Sequence, residues 1–181
     1  MGVMHLSNRY RKQLGVNAGI ACTQVLIYQA LHDLWGFGRK RFAIIEDLVD
    51  QYSRDIDHCG DRFSFYRNSL DEVKLSERLK GDYIRWMKKG IEVSGKAENV
   101  GSEAGMEYTY VLMLYAICKQ FGFKQKKLQR LQEKLKFYAR LILDGEVMIV
   151  EFMKCMELEC GQKFKNLEDW EAINGELKIY G

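Results

Sequence analysis

Apolar residues recur at intervals of three and four along most of the chain, the spacing expected of helices that bury one face. Two long apolar segments end in turns at residues 35–38 and 121–123, and each turn precedes a second segment with one apolar stripe. The stripes are Phe42, Ile45, Val49, Tyr52 and Ile56, and Leu128, Leu131, Leu135, Tyr138 and Ile142. The 181 residues include no proline, which long helices exclude from their interiors. The pattern predicts an all-α fold.

The two helix pairs are diverged copies of one unit. Residues 15–56 align without a gap onto residues 101–142 at a constant offset of 86, and thirteen of the 42 positions are identical. Ordinary residue usage would give roughly two or three identities by chance. We therefore expect a tandem pseudo-two-fold repeat of a helix-turn-helix(-helix) unit, with residues 1–95 and 96–181 as the two repeats, packed as one compact unit.

The remaining segments carry weaker patterns. A third helix is expected in each half, roughly at residues 67–89 and 145–160, and the glycine-containing link 90–101 marks the boundary between the halves. Asn174 and Gly175 suit either a helix stop or a tight β-hairpin at the C-terminus that leads into residues 177–180.

Cysteine usage and hydropathy indicate where the protein works. The five cysteines are odd in number and form no C-x-x-C pair, so a reducing compartment is expected. The longest apolar run, residues 111–118, is too short to cross a bilayer, and the N-terminal residues lack the apolar stretch of a signal peptide. We expect a cytoplasmic protein with no membrane partner. Because the first helix of each half is strongly apolar, we also expect a homodimer.

Small residues line one face of the first helix in each copy. Gly15 and Gly19 precede Thr23 at four-residue spacing, and Gly101 and Gly105 precede Thr109 in the same way. Each interior glycine costs about 1 kcal/mol relative to alanine, so a close approach should compensate. The two first helices could pack intimately against each other, or the face could be the floor of a ligand cleft. The four glycines are therefore candidate ligand-binding residues.

Cations follow the glycine turn of both copies, where the second helix begins. They are Arg39, Lys40 and Arg41 in the first copy, and Lys124, Lys126 and Lys127 in the second. Cations oppose the helix dipole at this end, whereas a bound anion would be stabilised by it. Gly36 and Gly122 also suit helix C-caps, with Phe37 and Phe123 as the accompanying apolar contacts. The two interpretations are compatible, and the six cations are candidate anion-binding residues.

The charge distribution suggests a second kind of partner. The net charge is only +3, but residues 119–140 contain eight basic residues against Glu133 alone. A basic helix over 124–140, with Phe137 and Tyr138 interleaved, could bind nucleic acid or an acidic protein, or could be a solvated face. The corresponding helix of the first copy is acidic, and no recognised DNA-binding motif is present.

Signals for catalysis are weak. Residues 55–61 contain His58, Cys59 and three aspartates, all of which could be metal ligands. The pair His32-Asp33 resembles the dyad of metal-dependent phosphohydrolases. The distant ligands of that family cannot be picked out, and no nucleophile elbow, Walker loop or dinucleotide fingerprint occurs. We predict no catalytic residues, no metal and no cofactor.

The segment ALHDLWGFGRKR, residues 30–41, resembles a pattern found in small helical proteins of phages and prophages of Gram-positive bacteria: an apolar helix followed by F-G-F-G-x-x-R/K. The resemblance covers about 40 residues in each copy, although Lys124 replaces the second glycine in the second copy. It implies a phage-encoded origin. Accessory proteins of this kind commonly bind a host component, as inhibitors of a defence system or as sponges.

Three functions follow in order of preference. The first is a non-enzymatic binding protein that captures an anionic ligand, either a nucleotide signal or an acidic surface of a host protein, at the paired turns. The second is a nucleic-acid-binding regulator that uses the helix 124–140. The third is a metal-dependent hydrolase built on His32, Asp33 and the cluster around His58.

Overall fold

Seven α-helices form the regular structure of residues 7–71 and 95–179, the part of the chain that the computed structural model describes. They are α1 (Asn8–Trp35), α2 (Arg39–His58), α3 (Arg62–Asp71), α4 (Lys96–Phe121), α5 (Gln125–Leu143), α6 (Ile149–Cys160) and α7 (Lys165–Asn174). These described ranges contain no strand, so the all-α prediction is confirmed.

The long helices α1 and α4 lie at the centre of the fold and run parallel to each other. Gly15 of α1 faces Glu98 of α4, and one turn later Gly19 faces Ser102, so both sequences advance in the same direction. Residues 25–31 and 109–117 are buried almost without interruption. Burial on nearly all sides explains why these helices are apolar around most of their circumference.

By length and composition, α1 could cross a membrane, with a mean hydropathy of 1.3 in its most apolar window. In the structure 61% of that window is buried inside the protein. A central helix of a soluble protein meets the same criteria, so this finding is weak evidence for a membrane span.

The shorter helices of each half pack against the long helix of the other half. Helix α2 and helix α3 contact α4, whereas α5 and α6 contact α1, and α7 packs on α6. A pseudo-two-fold repeat would produce this arrangement, in which the shorter helices of each half contact the long helix of the other. By this criterion α3 and α6 occupy corresponding places in the two halves.

Local sequence explains where the central helices end. Gly36 and Gly122 both adopt the left-handed conformation, with φ angles of 61° and 63°, and their amide groups donate to carbonyl oxygens of the preceding turn. Phe37 and Phe123, which follow them, are each only 3% exposed. The helix-cap interpretation of the two turns is therefore confirmed. The stripe of α5 is buried as predicted from Leu128 to Tyr138.

Three predicted boundaries differ from the structure. Helix α3 begins at Arg62, ahead of the predicted residue 67, and residues 72–89 of that prediction lie outside the described residues. Helix α4 begins at Lys96, so the second part of the predicted link is helical. Helix α6 begins at Ile149, later than the predicted residue 145. At the C-terminus, α7 ends at Asn174 with Gly175 at a φ angle of 88°, so the structure shows the helix stop of the two predicted alternatives, and residues 176–179 form no strand. The Leu177 amide donates to Glu171 Oε1 at 3.0 Å, which connects this segment to α7.

Candidate functional site

The glycine faces of α1 and α4 are occupied by each other. A Cβ atom at Gly15 would overlap the carbonyl oxygen of Glu98, and a Cβ atom at Gly101 would overlap that of Lys12. Because Lys12 and Glu98 are themselves 86 positions apart, the two contacts are equivalent. Gly19 and Gly105 repeat the pattern against the backbone of Ser102 and Val16.

This packing corrects the prediction of a ligand cleft. All four glycines are buried, and the space in front of them contains the neighbouring helix backbone, which leaves no room for a ligand. Gly15, Gly19, Gly101 and Gly105 are thus packing residues. The apolar first helices bury each other within one chain, so their apolar character no longer indicates a homodimer.

The same packing brings the two basic turns together at the far end of α1 and α4. The ring of Trp35 lies 4.7 Å from that of Phe123, and the ring of Phe37 lies 4.9 Å from that of Phe121, both edge to face. Phe37 and Phe123 are also in contact, at 6.1 Å. Each turn therefore packs its aromatic rings on those of the other copy, a geometry worth about 0.5–1.5 kcal/mol per pair beyond burial.

Cations surround this aromatic cluster. The Arg41 guanidinium lies 4.9 Å from the centre of the Phe37 ring, and Lys127 Nζ lies 4.8 Å from that of Phe123, at the equivalent position of the other copy. Arg41 Nη1 also donates to the Trp35 carbonyl oxygen at 3.4 Å. All six predicted cations are exposed, and none forms an ion pair with another described residue: Arg39, Lys40, Arg41, Lys124, Lys126 and Lys127.

The helix ends at the turns add to the positive potential. The N-cap residues of α2 and α5, Gly38 and Lys124, make no side-chain capping bond, and neither helix has an acidic residue in its first turn. The positive ends of both helix dipoles are therefore not compensated by a side chain in the described structure, a situation that favours a bound anion.

A depression of about 200 Å³ lies beside the second turn, between α3 and α4. Two cations, Lys119 and Lys124, line it together with apolar groups of Leu70, Tyr115 and Phe123. Lys119 Nζ lies 5.4 Å from the centre of the Tyr115 ring. Sequence reasoning left Lys119 out of the site, although it belongs to the basic run 119–140, because its place beside the turn depends on how α3 packs.

Part of the basic face of α5 is used inside the protein. Lys134 Nζ lies 3.1 Å from Asp33 Oδ2 at the end of α1, and the Arg130 guanidinium lies 5.8 Å from the centre of the Trp35 ring. These contacts connect the basic helix to the other half. The surface left for a nucleic acid is correspondingly narrower than the sequence suggested.

His32 and Asp33 have separate structural partners. His32 Nδ1 lies 2.7 Å from the Phe37 carbonyl oxygen, and its Nε2 lies 3.1 Å from Glu159. Asp33 accepts hydrogen bonds from Tyr138 at 2.5 Å and from Gln29 at 2.8 Å. Burial alone would raise the pKa of Asp33, but these bonds and Lys134 hold it below its ordinary value. The two residues therefore do not form a metal-binding dyad in this structure.

The cluster around His58 lies at the exposed end of α2. Asp55 accepts a hydrogen bond from the Tyr66 hydroxyl at 3.0 Å, which assigns that carboxylate a packing role. Across residues 7–71 and 95–179, no three histidine, cysteine, aspartate or glutamate side chains are grouped so as to hold a metal ion.

The fold and the turns together define an all-α protein with two parallel central helices and a cationic end. Comparison of the chain with protein-family models, with curated proteins and with solved structures finds no match. The geometry of the turns is therefore the feature from which a function can be inferred.

Proposed function

We propose that the protein is a non-enzymatic binding protein that captures an anionic ligand at its paired basic turns. The observation that carries the proposal is the packing of the two turns on each other through Trp35, Phe37, Phe121 and Phe123. It gathers six exposed cations at one end of the molecule on a rigid aromatic base. A site built on rigid elements loses less conformational entropy on binding than one built on mobile loops.

The chemistry favours phosphate or carboxylate groups. Guanidinium and ammonium groups beside two uncompensated helix N-termini are the donors that such anions prefer. A nucleotide signal would add a base that could stack against an aromatic side chain. An acidic surface of a host protein would supply several carboxylates at once, and both ligands belong to the proposal.

The wider biological role is part of the same proposal. Resemblance of residues 30–41 to small phage and prophage proteins supports a phage-encoded inhibitor of host defence, or a sponge, acting in the host cytoplasm. The alternative role, a nucleic-acid-binding regulator, is favoured only by the exposed cations of α5 and by Phe137, which is 50% exposed.

Charge reversal tests the site. Lys40, Arg41, Lys126 and Lys127 are replaced together by glutamate, and binding of ATP and of a poly-glutamate peptide is measured by calorimetry. We expect the wild type to bind at least one probe and the variant to bind it more than about ten-fold more weakly, or about 1.4 kcal/mol. Native mass spectrometry of protein purified from its host would show which anion it retains.

A second fourfold variant controls for net charge. It carries the same reversals at exposed cations away from the turns: Arg54, Arg140, Lys163 and Lys178. This control should bind like the wild type. Equal binding by both variants, or no binding of either probe by the wild type, would contradict the proposal. Steeply salt-dependent binding of an oligonucleotide that both variants weaken alike would favour the nucleic-acid alternative.

A further inference from the structure

A cavity of about 220 Å³ lies between α1, α2 and α4, away from the basic turns. Its apolar wall includes Ile20, Val49 and Met113, and its polar wall includes the carboxylates of Glu46 and Asp50. The remaining lining residues are Gln24, Tyr28, Ser53, Tyr108 and Thr109. Ligand sites in proteins have this composition, an apolar surface with a few converging polar groups.

Hydrogen bonds fix the Glu46 carboxylate at the cavity wall. Its Oε1 atom accepts from the Tyr28 hydroxyl at 3.1 Å and from Gln24 Nε2 at 3.4 Å. Tyr28 is only 1% exposed and stacks on Phe42 at 4.3 Å, so the donor is held by the core. The carboxylate is thus positioned before any ligand arrives, which lowers the entropic cost of binding.

The cavity has negative charge without a matching cation. Neither Glu46 nor Asp50 forms an ion pair within the described parts of the chain. Burial, and then repulsion from Asp50 and Asp47, raises the pKa of Glu46 above its ordinary value. A cation in the cavity would relieve this repulsion.

The second half shows that the fold does not require this opening. At the 86-residue offset, Gln132 replaces Glu46 and Lys136 replaces Asp50, so both negative charges are absent. Tyr110, which is uncharged, replaces Gln24, and its hydroxyl accepts a hydrogen bond from Gln132 Nε2 at 2.8 Å. Nine of the ten equivalent positions are buried, Lys136 being the exception: Met106, Tyr110, Leu114, Gln132, Leu135, Ala139, Cys22, Thr23 and Ile27.

We propose that the cavity of the first half binds a small organic cation, a primary ammonium group attached to a compact apolar body. The ammonium group would lie against Glu46 and Asp50, and the apolar body against Ile20, Val49 and Met113. A cavity of about 150 Å³ is large enough for a benzene ring, so this one accommodates a ring with a short amine arm. The inference is independent of the proposed anion site, because it uses different residues and a ligand of opposite charge.

Nuclear magnetic resonance with three probes of one shape tests the proposal at neutral pH. Benzylammonium, benzyl alcohol and benzoate are each titrated into ¹⁵N-labelled full-length protein. We expect saturable shifts from benzylammonium, centred on amides of α1, α2 and α4 around the cavity, and affinity about ten-fold lower for benzyl alcohol. Benzoate should leave the amides around the cavity unshifted, whatever it does at the basic turns. Equal affinity for the amine and the alcohol, shifts scattered over the surface, or no saturation at millimolar concentrations would overturn the proposal.

Two substitutions replace a cavity residue by the residue found at the equivalent position of the second half. Asp50→Lys places the lysine of position 136 at the cavity, and Glu46→Gln places the amide of position 132 there; each should weaken benzylammonium about ten-fold or more. Asp57→Lys, on the same helix but outside the cavity, makes the same charge change as Asp50→Lys and should leave the affinity unchanged. Equal effects of the two lysine variants would overturn the proposal, and the neutral Glu46→Gln variant decides the matter if Asp50→Lys does not fold.

Discussion

The two halves of the molecule share the residues that hold helices together and the cations that follow the turns, and they differ around the cavity beside Glu46. Gly15 and Gly101 make equivalent backbone contacts, and Phe37 and Phe123 occupy equivalent places in the turns. In contrast, α2 has Glu46 beside an open cavity where α5 has a buried glutamine. The comparison teaches that the equivalent packing contacts leave each half free to differ in the side chains around them.

The turn phenylalanines should show the largest effect. Phe37→Ala and Phe123→Ala each remove a buried ring that packs across the two copies, so each should lower the free energy of unfolding by about 3–5 kcal/mol. Because the positions are equivalent, the two losses should agree to within about 1 kcal/mol. Chemical denaturation measures both.

Phe137→Ala is the matched control for this pair. Phe137 is 50% exposed, so its removal should cost less than about 1 kcal/mol. A large loss at only one of the two turn positions would break the comparison, since it would mean that one turn packs without the other.

Substitutions of the glycines at the contact between α1 and α4 should show the next largest effect. Gly15→Ala and Gly101→Ala both add a methyl group where a carbonyl oxygen of the other helix lies, so α1 and α4 must separate. Overpacking costs about 1–3 kcal/mol, and because the methyl group meets backbone atoms the upper part of this range applies. That cost outweighs the gain of about 1 kcal/mol in helix propensity. Thermal and chemical denaturation should show a net loss of stability in both variants.

Gly60→Ala tests whether the loss comes from crowding. Nothing lies within 4 Å of a Cβ atom at Gly60, so this variant should retain wild-type stability or gain slightly. If Gly15→Ala or Gly101→Ala were stabilising, α1 and α4 could not be in direct backbone contact at these glycines.

Local features of the fold could be predicted from the sequence, and long-range contacts could not. Helices, stripes and the caps at Gly36 and Gly122 follow from periodicity and from the left-handed backbone that glycine adopts readily. The partner of Gly15 could not be predicted, because a small residue accommodates either a backbone or a ligand. The bounds of the third helices are harder to predict for the same reason, because their burial depends on the long helix of the other half against which each one packs.

The candidate site shows the same division. The six cations can be predicted as candidate anion-binding residues from the sequence, because their position after the glycine turns is a local signal. The contact of Lys134 with Asp33 and the approach of Lys119 to a depression depend on packing between helices from different halves. The cavity beside Glu46 has no signal in the sequence, because it results from side chains of three helices that do not fill the space between them.

The smallest predicted effect distinguishes the halves directly. Tyr138 donates to Asp33, 105 residues away, whereas Tyr52 at the equivalent position makes no hydrogen bond through its hydroxyl in the described structure and packs on Tyr115 at 5.2 Å. Tyr138→Phe should therefore cost about 1 kcal/mol at neutral pH, and Tyr52→Phe should cost close to nothing. Denaturation of both variants and the wild type measures the difference.

The pH dependence of that difference sharpens the test. Hydrogen bonds hold the pKa of Asp33 in the folded protein below the value of about 3.9 that it has in the unfolded chain. The stabilisation that Asp33 provides is therefore complete above the unfolded value and is lost as the pH falls through the folded one. The cost of Tyr138→Phe should shrink on acidification over this range, while that of Tyr52→Phe stays near zero. A cost for Tyr138→Phe that is independent of pH would mean that the hydroxyl stabilises the fold by a contact other than the Asp33 carboxylate, and the asymmetry between the halves would then lie in packing and not in charge.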